Sequence, residues 1–412
     1  MRFEGSVLAL NAGSSSLKFG LFHPEEDGTV VLRGEIEEIT TAPRLLAHGP
    51  DGGVLADRRW PSGAAPEFAE LLQAVLDLVE GHAGPALAAV GHRVVHGGAK
   101  HVAPARITPA LLVELDALTP LDPLHMPHCL APMRAIASIH PGLPQVACFD
   151  TAFHHTIPAV ATRIALPRAL TEAGLRRYGF HGLSYDYVAR ELRKLSPAMA
   201  RGRVIVAHLG SGASLCALLG GRSIATTMGF SVLDGLMMAT RCGSLDPGVI
   251  LYLGRQGHSF AEIETLLYAQ SGLLGVSGFS GDMQALLASD DPRAREAINL
   301  FTYRVATETG ALVSALSGLD GLVFTAGIGE HSPAIRTEIC TRLAWLGLRL
   351  DEAANAAGRA CISAPDSQIE VRVIATDEEA MIARHAQGAL QRRRAPQATP
   401  LLASATAIDG AS

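Results

Sequence analysis

The chain has 412 residues, 48% hydrophobic, 18% charged and only 5% aromatic, the balance of an α/β protein rich in small aliphatic side chains and long enough for two domains. A formal net charge of −6 and a pI near 6.2 supply no basic field, so no nucleic-acid partner is expected. No stretch reaches the ~20 apolar residues of a membrane span, and the N-terminus runs straight into a strand without a signal-peptide core, so the expected location is cytoplasmic with no membrane partner.

Taken from the N-terminus, residues 7–22, VLALNAGSSSLKFGLF, hold two apolar runs around a turn of small and polar residues. Leu17, Phe19 and Leu21 alternate with Lys18 and Gly20, the period of a strand, so the stretch predicts a β-hairpin. Backbone N–H groups of such a turn can approach an anion closely; Lys18 adds a point charge and Asn11 a carbonyl oxygen suited to a hard cation. An ordinary hairpin with a solvated lysine has the same pattern. Residues 23–64 read only as strands and loops. The stripe Phe68, Leu71, Leu72, Val75, Leu76 and Val79 predicts a helix opened by Pro66 and stopped by Gly81. LAAVGHRVVHGG at 87–98 is a strand with Arg93, a candidate anion ligand, and Val95 on one face. Thr108 and Pro109 open a short helix to about Leu118, and LDPLHMPH at 121–128 is expected to be a proline-broken loop. QVACFD at 145–150 is a strand ending on Asp150, a position that suits a site residue and a helix N-cap alike.

RRYGFHGLSYDYVARELRKL at 176–195 places His181 just before a helix that Ser184 is expected to cap, with Val188, Leu192 and Leu195 facing the core. Beside a positive helix end, His181 fits an anion ligand or a structural histidine. Residues 204–219, VIVAHLGSGASLCALL, repeat the plan of the first hairpin at a spacing too wide for a solenoid. The chain therefore reads as two related halves facing one nucleotide. A Gly- and Met-rich segment at 226–248 carries a central cation, Arg241, and SGFSGDM at 277–283 is a Gly/Ser loop. Ile298, Phe301, Val305, Leu312 and Leu316 line one side of a long helix, a core or dimer face, that ends near Gly318. GLVFTAGIGEHSPAIR at 321–336 is a strand, a Gly-x-Gly turn and a helix with Ser332 as N-cap and Pro333 at its first position, a good nucleotide cradle. In VRVIATDEEAMIARHAQGAL at 371–390, a strand then a helix, Thr376 and Glu379 fit a capping box and leave Glu378 without a structural task. The tail from Arg392 onward is expected to be disordered.

The cysteines, Cys129, Cys148, Cys216, Cys242, Cys340 and Cys361, form no C-x-x-C pair, and reduced thiols are expected. His92 with His96, and His125 with His128, have a spacing that zinc could use, but no H-E-x-x-H accompanies them.

Together LALNAGSSSLKFGLF, GHRVVHGG, FDTAFH, RYGFHGLSY, HLGSGAS, MMATRCGSLDPG, SGDM and TAGIGEH, in this order from about residue 5 to 390, resemble the acetate and propionate kinase family. The resemblance implies the duplicated ribonuclease-H-like α/β fold of the actin, hexokinase and heat-shock ATPase superfamily, with one domain of residues 1–149 plus 379–412 and a second of 150–378. It implies reversible phosphoryl transfer from ATP to acetate, or to propionate or another short-chain carboxylate, with Mg²⁺ (Mn²⁺ as a substitute) and a homodimer formed through the second domain. Residue by residue, Asn11 and Glu378 would hold the metal, and Asp150, His181 and Arg241 would be catalytic. Arg93 would bind the carboxylate, with Val95, Leu124, Met126, Phe180 and Val232 around its methyl group. ATP would meet Lys18, then His208, Leu209, Gly210, Ser211 and Gly212, then Asp282, Met283 and Gln284, and finally Gly327, Ile328, Gly329, Glu330 and His331. The chain departs from the family pattern at Ser211 (usually Asn), Gln284 (Arg), His331 and Asp377 (Asn), Ser244 (Asp), Val232 (Pro) and Met126 (Asn).

Two other classes compete. Ser15 to Lys18 satisfies the S-x-x-K pattern of acyl-serine hydrolases, but the S-D-N and K-T-G that should accompany it are absent from the sequence. A non-catalytic ATP switch on the same fold would have no use for Arg93, His181 and Arg241.

Overall fold

The computed structural model describes residues 5–392 apart from 14, 24–28, 62–65 and 85. Ser14 of the first turn and the tail beyond Arg392 lie outside the described residues. The first sheet contains β1 (Ser6–Ala12), β2 (Leu17–Phe22), β3 (Val30–Glu37), β4 (Arg44–His48), β5 (Val54–Arg59), β6 (Leu87–Val94), β7 (Ala105–Arg106) and β8 (Gln145–Phe149), in the order β5-β4-β3-β2-β1-β6-β8-β7. The second contains β9 (Arg203–Leu209), β10 (Ala213–Leu219), β11 (Arg222–Thr226), β12 (Gly321–Thr325) and β13 (Glu370–Val373), in the order β11-β10-β9-β12-β13.

The duplication is visible in the pairing. In the first sheet β3, β2 and β1 are antiparallel neighbours and β6 and β8 then add in parallel. In the second, β11, β10 and β9 repeat the meander and β12 and β13 repeat the parallel additions. This is the duplicated ribonuclease-H-like arrangement that the motifs imply. Both expected hairpins form, with Asn11 opposite Lys18 in the first and His208 opposite Ser214 in the second.

Helices cover both faces of the central strands of each sheet, so those strands are apolar on both faces, whereas β5 at the edge of the first sheet is largely exposed. On the first sheet Leu8 and Leu10 meet Leu71, Leu72 and Val75 of helix Phe68–Glu80, while the alternate residues Val7 and Ala9 meet Met381, Ile382 and Ala386 of helix Glu378–Arg392. That last helix lies close on β6 because Gly91 has no side chain: a Cβ there would sit 2.6 Å from Ile382 Cγ2. On the second sheet Ile205, Ala207 and Leu215 pack with helix Pro292–Leu316, and Val204, Val206 and Cys216 with helix Gly182–Leu195. The expected face of the long helix, Ile298 to Leu316, is buried within the chain and belongs to its core.

Several local expectations change. Residues 121–128 are not all loop: a helix begins at Met126, because Pro127 falls in its first turn, where a missing N–H costs nothing. The short helix ends at Asp116, with Thr108 capping it as expected. Leu195 is 48% exposed, whereas Val188 and Leu192 are buried. Ser184 lies inside helix Gly182–Leu195, not at its start. Ser332 occupies the N-cap position of helix Pro333–Arg342, but its side chain makes no capping bond. The Gly-x-Gly turn after β12 is itself a short helix, Ala326–His331. There is no Thr376–Glu379 capping box: Asp377 Oδ1 accepts from Ala380 N at 2.9 Å, and Thr376 and Glu379 bond elsewhere.

Candidate active site

Neighbouring strand ends bring the polar residues together. Asn11 lies next to the end of β1, Arg93 near the end of the parallel β6, and Asp150 follows β8, so three adjacent strands deliver three side chains to one edge. Arg93 donates to Asp150 Oδ2 twice, from Nε at 3.0 Å and Nη2 at 2.6 Å. Asn11 Nδ2 donates to Glu378 Oε2 at 3.1 Å and to Glu379 Oε1 at 3.2 Å, and its Oδ1 accepts a long 3.4 Å contact from Arg93. Glu379 therefore faces the site beside Glu378, whereas sequence spacing had set it aside for the helix.

Burial raises the Asp150 carboxyl even against the pull of Arg93. Burial also pushes Glu378 up to about 7, with Asp150 and Glu379 adding to the effect and Arg93 and Lys18 opposing it. Burial acts to lower Arg93, but Asp150 and Glu378 more than offset it and hold the guanidinium firmly charged. Asp150 is 1% exposed, and its Oδ1 is buried without a hydrogen-bond partner. This orphaned oxygen, the Asn11 carbonyl and the Glu378 carboxylate are hard oxygen donors of the kind that Mg²⁺ accepts alongside water. Among the described residues no group of three or more His, Cys, Asp or Glu is placed to hold a metal by itself.

The second half contributes the opposite wall. His181 sits at φ 57° just before helix Gly182–Leu195 and stacks on His208 of β9 at 4.1 Å between centroids. Burial lowers His181 well below the usual histidine range, with His208, Arg93 and Arg241 contributing, and lowers His208 to about 3. Both rings are neutral. Arg241 anchors Nη1 on the Val232 carbonyl at 2.7 Å. A Cβ at Gly212 would lie 2.8 Å from Arg241 Nη2 and 3.3 Å from His181 Nε2, so the bare turn of the second hairpin sits against both side chains. Gly182 is required for a similar reason: a Cβ there would come within 1.9 Å of the Asp150 carbonyl oxygen.

Val95, Phe180 and Val232 are buried in one apolar cluster, as expected of a methyl pocket. Leu124 is not part of it and is 42% exposed, because it lies in the turn before Met126; Met126, also expected in the pocket, is wholly buried in the cluster. Lys18 is exposed on β2, near enough for its charge to act on Glu378. Among the expected ATP contacts, Leu209 and Met283 bury their side chains in the core and have only backbone to offer. Asp282 caps helix Met283–Leu287, and Gln284 is exposed. Gly210 and Ser211 bond through their backbones, to Gly212 and Ala239 respectively. Gly327 faces open space, Gly329 is buried, Ile328 is partly buried and the His331 side chain is 71% exposed. Glu330 Oε1 is engaged internally, accepting from Ala326 N at 2.6 Å and Thr376 N at 3.0 Å, which leaves Oε2 as the oxygen that can face a ligand.

The zinc spacings come to nothing. His92 bonds Gln145 at 2.8 Å, the His96 ring packs edge-on against Tyr178, and His125 bonds Asp122 at 2.7 Å. Two departures from the family pattern have structural tasks. Asp377 caps its helix and pairs with Arg33, and Ser244 donates to Asp234 at 3.0 Å. Sequence reading gave Ser184 and Thr376 capping tasks and missed Tyr185 and Ser214; all four bond around the stacked histidines. Only the strand pairing of Ser214 with His208 could have pointed to one of them.

A duplicated α/β fold that sets two arginines, two imidazoles and an oxygen-donor cluster around two small-residue hairpins is that of a two-lobed phosphotransferase. The chain belongs to the acetokinase family, whose sequence model matches residues 6–384. It is 54% identical over 388 residues to the acetate kinase of Rhodopseudomonas palustris, covering 92% of this chain and 97% of that one. With the acetate kinase of Rhizobium meliloti it shares 48% identity over 382 residues, 92% and 97% of the two chains. Among solved structures it is similar to a propionate kinase from Francisella tularensis, with a TM-score of 0.86 and 37% identity over 93% of this chain and 99% of that one. It is also similar to the acetate kinase of Porphyromonas gingivalis, with a TM-score of 0.83 and 35% identity over the same shares.

Proposed function

We propose that this chain transfers the γ-phosphoryl group of ATP directly to acetate, in line and reversibly, giving ADP and acetyl phosphate. The observation that carries the reading is the paired Arg93 and Asp150, set beside Asn11 and Glu378 and within electrostatic reach of His181, His208 and Arg241. A carboxylate is already a nucleophile at neutral pH, so the reaction needs little base catalysis and much neutralisation of charge between two anions. Arg93 binds and orients the acid. Arg241 and His181, both against the Gly212 turn, donate to the phosphoryl oxygens as charge redistributes. Asp150 is the catalytic acid, and its Oδ2 also holds Arg93 in place. Mg²⁺, with Mn²⁺ as a substitute, would be held by Asn11 and Glu378 and would neutralise phosphate charge.

ATP lies along the turns at 208–212, 282–284 and 327–331, mostly on backbone, and Lys18 reaches it from the first hairpin. Ser211, Gln284 and His331 bear on nucleotide affinity more than on the chemistry. Residues up to 149, rejoined by the helix from 379, make one lobe, and residues 150–378 the other. The protein acts in the cytoplasm as a homodimer through the second lobe, where Leu251, Tyr252 and Phe260 are 60%, 59% and 90% exposed. No helix among the described residues is long and apolar enough to cross a membrane.

Propionate is the second candidate acid, favoured by Met126 and Val232 in the apolar cluster. Trapping the acyl phosphate with hydroxylamine, in the presence of ATP, Mg²⁺ and formate, acetate, propionate or butyrate, tests the function. Acetate-dependent hydroxamate is expected; ATP turnover indifferent to every acid would refute the reading.

A further inference from the structure

Helix Gly182–Leu195 carries two adjacent, fully buried hydroxyls, Ser184 and Tyr185, and each begins a path to a different member of the stacked histidine pair. Tyr185 Oη lies 2.5 Å from Ser214 Oγ, which lies 2.8 Å from His181 Nδ1. Thr376 Oγ1 donates to Ser184 Oγ at 2.8 Å, and Ser184 Oγ lies 2.8 Å from His208 Nδ1.

Satisfying the buried hydroxyl protons points both paths towards the rings. Burial raises the Tyr185 hydroxyl well above its usual range, so it keeps its proton, and Ser214 Oγ is its hydrogen-bond partner among the described residues. Ser214 accepts from Tyr185 and has His181 Nδ1 left to receive its own proton. Ser184 accepts from Thr376 and in the same way donates to His208 Nδ1. With both Nδ1 atoms accepting, each ring carries its proton on Nε2, and the Nε2 of His181 is the atom that sits against Gly212. Two imidazolium rings stacked at 4.1 Å near Arg93 and Arg241 would repel one another and their neighbours. Neutral rings donate hydrogen bonds without that repulsion.

We propose that Tyr185 with Ser214, and Thr376 with Ser184, are positioning pairs that lock the ring orientation and the Nε2–H tautomer of His181 and of His208 stacked on it, so that His181 donates to a phosphoryl oxygen at the turn of the second hairpin. The inference rests on the function proposed above, which puts His181 at the transferring group.

The test uses the full chain labelled with ¹⁵N in its histidine rings, with His181→Gln and His208→Gln assigning the signals. Native protein is expected to show both Nδ1 atoms unprotonated and hydrogen-bonded. A protonated Nδ1 on either ring overturns the proposal. Ser214→Ala should move only the His181 Nδ1 signal, towards that of an unbonded nitrogen, and should lower kcat about tenfold or more with the KM for ATP and acetate unchanged. It also strands the Tyr185 hydroxyl, so thermal stability should fall; adding Tyr185→Phe removes both partners and should restore stability. If kcat returns with stability in the double variant, the pair is structural only and the proposal fails. Full activity in His181→Gln would instead overturn the placing of His181 at the phosphoryl group. A native-like kcat in Ser214→Ala, with His181→Gln inactive, overturns the positioning role alone.

Discussion

Arg241→Ala separates catalytic charge from structural support. The side chain spends Nη1 on the Val232 carbonyl at 2.7 Å and turns Nη2 towards Gly212. Burial lowers its pKa, only partly countered by Tyr268 and Asp122, and no ion-pair partner faces it among the described residues. Its charge is therefore left for an anionic ligand. Removing a preorganised donor of this kind costs ~3–4 kcal/mol at the transition state, which at ~1.4 kcal/mol per decade is a fall in kcat of about a hundredfold to a thousandfold. The structural loss is one hydrogen bond to a carbonyl, about 1 kcal/mol, so the thermal midpoint should fall by no more than a few degrees. Arg241→Lys should fall between the two, since a single ammonium cannot both hold Val232 and face the turn. Initial rates with ATP and acetate varied in turn, with thermal unfolding measured in parallel, make the assay. A raised KM with kcat intact would refute the reasoning, as would a loss of stability large enough to account for the lost activity.

Glu378→Gln should raise the Mg²⁺ concentration needed for half-maximal rate, read from a metal titration at saturating ATP. Asp377→Ala, not Glu379→Ala, should lose the helix cap and about 0.5–2 kcal/mol of stability in urea unfolding; equal losses in the two would contradict the bonding seen at Ala380. His92 is buried, and burial lowers it to about 4, so the unfolded chain takes up its proton first as pH falls below about 6.5. Its contribution to stability is whole above that pH and is lost progressively towards about 4: the native chain should lose about 2 kcal/mol more than His92→Asn between pH 7 and pH 5, and parallel curves would exclude the effect. Propionate should approach acetate in kcat/KM, because Met126 can move aside and one methylene is worth ~1–3 kcal/mol. A propionate-to-acetate ratio far below one, unmoved by Val232→Pro, would rule this out.

The amino-acid sequence by itself determined the two hairpins, the helix 68–80, the long helix to Leu316 and the duplication, because each is written in local periodicity and in turns of small residues. It also marked Arg93, Asp150, His181 and Arg241, through motifs whose order along the chain is specific. Tertiary structure decided how neighbouring polar residues divide their tasks. Spacing alone assigned Glu379 to a capping box, yet Asp377 caps the helix and Glu379 turns to Asn11, a strand more than 360 positions away. Glu330 reads as a nucleotide ligand, yet one of its carboxylate oxygens also holds the backbone of Ala326 and Thr376. Met126 enters the apolar pocket and Leu124 stays outside it because a helix begins at a proline-rich stretch that reads as loop. Capping, pocket lining and hydroxyl paths depend on which side chain reaches a partner from another part of the chain. No local pattern records that distance, and only the packing of the two sheets against their helices fixes it.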